Sequence, residues 1–184
     1  MQRKTLVLAM LATALAAPFA NASDGTVNFS GTVTDTTCTV SVTGAATKVT
    51  TVTLQTVSAT ALATAGQTAG LAPFTLRLSN CSSAKTLAST SAAYFEAGPG
   101  VDPATGYVKN TGTATNVALQ LVDAANNKAI KAGDYSQVAG NSRAAIDPTT
   151  KAADIPYAVQ YIATQGAGSA GTVVGSVTYA INYQ

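Results

Sequence analysis

The sequence has 184 residues, 47% of them hydrophobic, which is enough chain and enough apolar side chain for one domain with a substantial core. Only 10% are charged and none is His, so histidine-based acid/base or metal chemistry is excluded and carboxylate chemistry has few groups to draw on. Without Arg3 and Lys4, which belong to the leading segment, the ten basic residues become eight and balance the eight acidic ones; no Lys/Arg cluster remains to hold nucleic acid or an acidic membrane.

Arg3 and Lys4 precede an apolar run from Leu6 to Ala17, then Pro18 and Ala20-Asn21-Ala22. This order predicts a secretory signal peptide over residues 1–22, cleaved after Ala22. A membrane anchor is the competing reading, but about 12 apolar residues fall short of the roughly 20 a spanning helix needs. Cys38 and Cys81 both lie in the exported part, where an oxidising compartment is expected to join them. Closing that loop of about 44 residues would contribute about 4 kcal/mol in the chain-entropy model. Two free thiols are the alternative.

From Ser23 onward the dominant pattern is period-2 alternation in segments rich in Thr, Val and Tyr, which predicts half-buried strands and an all-β domain. In chain order the runs are Val27/Phe29, Val40/Val42, Val52/Leu54, Phe74/Leu76/Leu78, Val117/Leu119/Leu121, Tyr157/Val159/Tyr161 and Val177/Tyr179/Ile181/Tyr183. Ser58 to Gly70 is Ala-rich and fits a helical turn or a mobile loop. Gly98-Pro99-Gly100, Asp102-Pro103, Asn126-Asn127 and Asp147-Pro148 supply turns between short strands, as in a sandwich. An antibody-type domain would carry a core Trp between cysteines joining opposite sheets. Here Trp is absent and both cysteines are in the first half, so the sandwich is at most a variant of that kind.

The motifs with chemical associations do not assemble into a catalytic site. Gly166-Ala-Gly-Ser-Ala-Gly171 matches G-x-G-x-x-G, but β-prone residues follow where a phosphate-binding helix and a later acidic residue are required, so a flexible turn between strands is expected. No nucleophile has a His partner and no Cys/His cluster has metal spacing; no metal site or cofactor is expected. Asp24, Asp35, Glu96, Asp102, Asp123, Asp134, Asp147 and Asp154 are scattered singly and read as solvated turn or strand-edge groups. Glycosylation-type patterns at Asn28 and Asn80 have a high chance rate in so Ser/Thr-rich a chain.

Five segments carry a family resemblance. They are Thr-Val-Asn-Phe-Ser-Gly-Thr-Val at 26 to 33, Phe-Thr-Leu-Arg-Leu-Ser-Asn-Cys at 74 to 81, Thr-Asn-Val-Ala-Leu-Gln-Leu at 115 to 121, Ile-Pro-Tyr-Ala-Val-Gln-Tyr at 155 to 161 and Val-Thr-Tyr-Ala-Ile-Asn-Tyr-Gln at 177 to 184. With Cys38, a penultimate tyrosine (Tyr183) and a glycine fourteenth from the last residue (Gly171), the chain resembles the type 1 fimbrial, or chaperone–usher, pilins, as a major or minor subunit.

The resemblance implies an incomplete immunoglobulin-like β-sandwich lacking its last strand and completed by a donor strand from another molecule. It divides the chain into a signal peptide (1–22), an N-terminal donor-strand arm (23–35) and a pilin domain (36–184). Val27, Phe29, Gly31 and Val33 would be the donor residues, with Gly31 facing a pocket that admits little bulk. Gly171, Val177, Tyr179, Ile181 and Tyr183 would form the acceptor-groove strand and the chaperone contact, although Gly175 interrupts the apolar parity there. The implied partners are neighbouring pilin subunits, a periplasmic chaperone and an outer-membrane usher. The implied destination is an extracellular fimbrium reached through the periplasm. The competing function is a secreted monomeric β-sandwich binding module of carbohydrate type, which would complete its own sheet.

Overall fold

A computed structural model describes residues 27, 28, 30, 31, 33–42, 51–83 and 87–184. The signal-peptide segment and Phe29 lie outside the described residues. The chain divides into two units, Met1–Val33 and Thr34–Gln184.

The second unit is built from two antiparallel sheets. The larger has five strands: β1 (Thr37–Val42), β2 (Thr68–Ser82), β4 (Val117–Asp123), β5 (Lys128–Ile130) and β7 (Ala153–Ala163), ordered β1-β2-β7-β4-β5. The smaller has three: β3 (Thr90–Phe95), β6 (Ala144–Ala145) and β8 (Tyr179–Tyr183), ordered β6-β3-β8. A 3-10 turn occupies Ala59–Leu62, and a short helix, α1, spans Gln137–Gly140.

Alternation places every second side chain of the large sheet inward. Leu76 and Leu78 of β2, Leu119 and Leu121 of β4, and Ile155, Tyr157 and Val159 of β7 meet Ala93 and Phe95 of β3 in one core. At about 1.5–3 kcal/mol for each fully buried aliphatic or aromatic side chain, this face is the main source of stability. The outward positions of β7 include the exposed Asp154 and Pro156, and Asp154 pairs with Arg77 across the β2–β7 ladder at 3.1 Å.

Tyr157 ties the two sheets together. Its ring stands edge-on to Phe95, 5.1 Å between centroids, and its phenolic oxygen accepts from the Ala93 N–H of the facing sheet at 2.8 Å. Cys38 and Cys81 form a disulfide between β1 and β2, neighbours in one sheet, next to a register shift between Thr37 and Thr39. This differs from the inter-sheet bridge of antibody domains.

Several elements depart from the sequence-based expectation. Val52 and Leu54 alternate inward and pack on the core, yet 51–58 joins no ladder. Residues 27, 28, 30, 31 and 33 are in no strand. The Gly166–Gly171 segment is not free: the Gly168 N–H donates to Leu62 C=O at 2.8 Å and the Ser169 N–H to Thr115 C=O at 3.0 Å. Asp123 is not a solvated group but 1% exposed. Its carboxylate accepts from the backbone N–H groups of Ala125 (3.0 Å) and Ser142 (2.6 Å) and from the Asn126 amide (3.0 Å). Those donors offset the cost of burying a carboxylate. Asp102, Asp134 and Asp147 do sit in turns, accepting from N–H groups two residues on, and hydrogen bonds from Ala104, Ser136 and Thr150 respectively hold their carboxyls below the usual range.

Candidate functional site: the edge of the small sheet

The two long edges of the three-stranded sheet are finished differently. On the outer side of β3, strand β6 pairs only with Thr90 and Ser91. Beyond it, side chains complete the edge. The Ala93 N–H donates to Tyr157 and its carbonyl accepts from the Asn141 amide at 3.0 Å. The Phe95 N–H and C=O are both bonded by the buried Gln137 amide at 2.9 Å, with a further bond from the Gly133 N–H at 2.8 Å. Gln137 thereby imitates the main chain of a missing strand.

The opposite edge belongs to β8, whose one ladder among the described residues is with β3. Thr90 and Gln184 exchange both bonds, at 2.8 and 2.9 Å, and the Glu96 N–H donates to Thr178 C=O at 2.9 Å. In an antiparallel pair the bonded residues alternate. The N–H and C=O groups of Tyr179, Ile181 and Tyr183 therefore point away from β3, toward an edge that no described strand occupies.

The side chains beside this edge are apolar and incompletely covered. Val177, Tyr179, Ile181 and Tyr183 are half-buried against the core, as are Val40, Val42, Val52, Leu54 and Phe74 from the other sheet and the 51–58 segment. Tyr179 lies 6.3 Å from Phe95, centroid to centroid. Partial burial raises the pKa of both Tyr179 and Tyr183, and a hydrogen bond from the Cys38 backbone links the Tyr183 phenol to β1. Half-buried apolar side chains from both sheets thus pack against the same core as the β8 row.

The predicted site residues are only partly brought together. Tyr179, Ile181 and Tyr183 form β8 itself, whereas Val177 precedes it. The strand begins late because the run before it is held to another part of the chain. The Thr111 N–H donates to Val174 C=O at 2.8 Å and the Ala114 N–H to Thr172 C=O at 3.0 Å. Gly175 permits the close approach: a Cβ there would meet Lys109 O at 2.9 Å, which accounts for the interruption of apolar parity. Gly171 also lies on this run, where a Cβ would stand 2.5 Å from Ala114 N and φ is +155°. Val27 and Val33 are exposed, and nothing lies within 4 Å of where a Gly31 Cβ would be.

Among the described residues no three His, Cys, Asp or Glu side chains gather as a metal site. A cavity of about 320 Å³ opens beside Pro99, Pro103 and Gly133, with Lys109 bonded to Pro99 C=O and Lys131 paired with Asp134. Gln137 and Asn141, which complete the β3 edge, escaped sequence reading because isolated polar residues carry no period.

A sandwich with one edge of its small sheet completed and, among the described residues, no strand along the other is the setting in which the comparisons with known proteins fall. The family model described as "Fimbrial protein" matches residues 27–184. The major fimbrial subunit SMF-1 of Stenotrophomonas maltophilia is 44% identical over 173 residues, covering 91% of this chain and 98% of that protein. The F17 fimbrial protein of Escherichia coli is 39% identical over 187 residues, covering all of both chains. Protein FimG of Escherichia coli strain K12 is 31% identical over 170 residues, covering 90% of each. The chain belongs to the fimbrial protein family and is, with it, a structural pilus subunit.

Proposed function

We propose that this subunit polymerises head-to-tail by donor-strand exchange, each molecule accepting along β8 the 23–35 arm of its neighbour, into surface pili that support adhesion. The observation that carries the reading is the outward row of Tyr179, Ile181 and Tyr183 main-chain groups, unpartnered among the described residues and flanked by half-buried apolar side chains. An exposed strand edge beside desolvated apolar surface attracts an extended segment whose main chain completes the ladder and whose alternate side chains fill the pockets. Val27, Phe29 and Val33 have that alternation, with Gly31 at a position of little bulk. Burying three such side chains at about 1.5–3 kcal/mol each, together with main-chain bonds, supports a persistent contact.

Donor and acceptor are different segments of the chain, so the contact is heterologous and propagates into an open filament. Before assembly the same edge needs cover, which a periplasmic chaperone supplies on the way to an outer-membrane usher. Residues 1–22 act as the export signal, and 36–184 form the pilin domain. Deleting residues 23–33 is expected to leave a subunit that accepts a strand but cannot donate one. Electron microscopy of cells producing the truncated protein as their only copy, with its export partners, should show no fibres; normal fimbriae would refute the proposal.

A further inference from the structure

Resting on that reading, we infer that Arg143 is a positioning residue that clamps β8 to β3 and keeps the acceptor edge formed while its other side is vacant. β8 has five residues and, among the described residues, a single ladder partner, so an edge that must wait for a strand is held by one row of main-chain bonds. Short edge strands of this kind open readily.

Arg143, just ahead of β6, spans both strands. Its Nε donates to Thr90 Oγ1 at 3.0 Å and one terminal nitrogen to the Thr90 carbonyl at 3.4 Å. On β8, the other terminal nitrogen donates to Asn182 Oδ1 at 3.0 Å, and the first also reaches the Asn182 carbonyl at 3.0 Å. The planar fork of a guanidinium is suited to holding several acceptors in one plane, and a Lys ammonium is not. Neither ion pair among the described residues involves Arg143, so its donors are directed at the strands.

The clamp does not obstruct the edge it supports. Asn182 alternates with Ile181 and Tyr183, so its side chain lies on the sheet face opposite the apolar row. Its main-chain groups point toward β3 and not toward the vacant side. Arg143 can grip β8 from behind while a strand enters in front.

The test is residue-resolved hydrogen exchange on the intact chain, comparing wild type with Arg143→Leu, Arg143→Lys and Asn182→Ala. Protection of the Ala180, Asn182 and Gln184 amides should fall about tenfold or more in Arg143→Leu and less in Asn182→Ala, which retains the carbonyl contact. Arg143→Lys should not restore it, and the amides of β4 and β7 should be unchanged in all three. Equal protection of β8 in wild type and Arg143→Leu would overturn the clamp. So would a uniform loss across both sheets, which would mark Arg143 as a general stabiliser. If the wild-type chain fails to capture a peptide of residues 23–33, the donor-strand reading fails, while the exchange data still decide the clamp.

Discussion

At the scale of single residues, Tyr157 carries the contact between the sheets. Replacing it with Phe keeps the ring against Phe95 but leaves the Ala93 N–H without its acceptor. An unsatisfied buried amide costs about 1–3 kcal/mol, so Tyr157→Phe should lower the denaturant midpoint accordingly. Burial also pushes the Tyr157 pKa from 10.0 up to about 12. The unfolded chain releases this proton first, so the stabilising contribution is complete below pH 10 and is lost as pH rises toward 12. The wild-type stability curve should fall across that window, and Tyr157→Phe should flatten part of the slope; identical slopes would show that Tyr157 is not the titrating group. None of this was legible beforehand: Tyr157 announces itself as a core residue by its spacing, but its oxygen's partner is remote in sequence. Asp123 was misread for the same reason, since two of its donors reside on Asn126 and Ser142 and only folding brings Ser142 near.

Among the elements, legibility followed the size of the inward side chains. β2, β4 and β7 show plainly because large Leu, Ile, Val, Phe and Tyr side chains recur at every second position over long stretches. β3 does not, because its inward positions include Ser91 and Ala93, too small to stand out from their neighbours. Val52 and Leu54 show the reverse case: a strand-like period that reports burial of alternate side chains without any ladder. The start of β8 was misjudged because apolar alternation cannot report that residues 172–174 are tied to 111–114. Gly171→Ala tests this tie. A Cβ 2.5 Å from Ala114 N forces the run away from its partner, and overpacking of this kind costs about 1–3 kcal/mol. Thermal or denaturant unfolding should detect a loss of that size; wild-type stability would mean that the close approach is not needed.

For the whole molecule, the two edges of the small sheet differ, and on the proposed reading that asymmetry would give assembly its direction. Were both edges vacant, strands could add on either side and the product would branch or aggregate. Gln137, Asn141 and Tyr157 finish one edge of the small sheet from within, so the proposed exchange would use its other edge, β8, with one strand per molecule. The sequence shows the alternations at 27–33 and 177–183 separately, while the finished edge emerges only from the fold. The most direct measurement is hydrogen exchange on the chain lacking residues 23–33, with and without a peptide of that sequence. The account predicts that the Tyr179, Ile181 and Tyr183 amides exchange freely alone and become strongly protected when one peptide binds. Full protection of those three amides in the unliganded protein, unchanged by peptide, would contradict it.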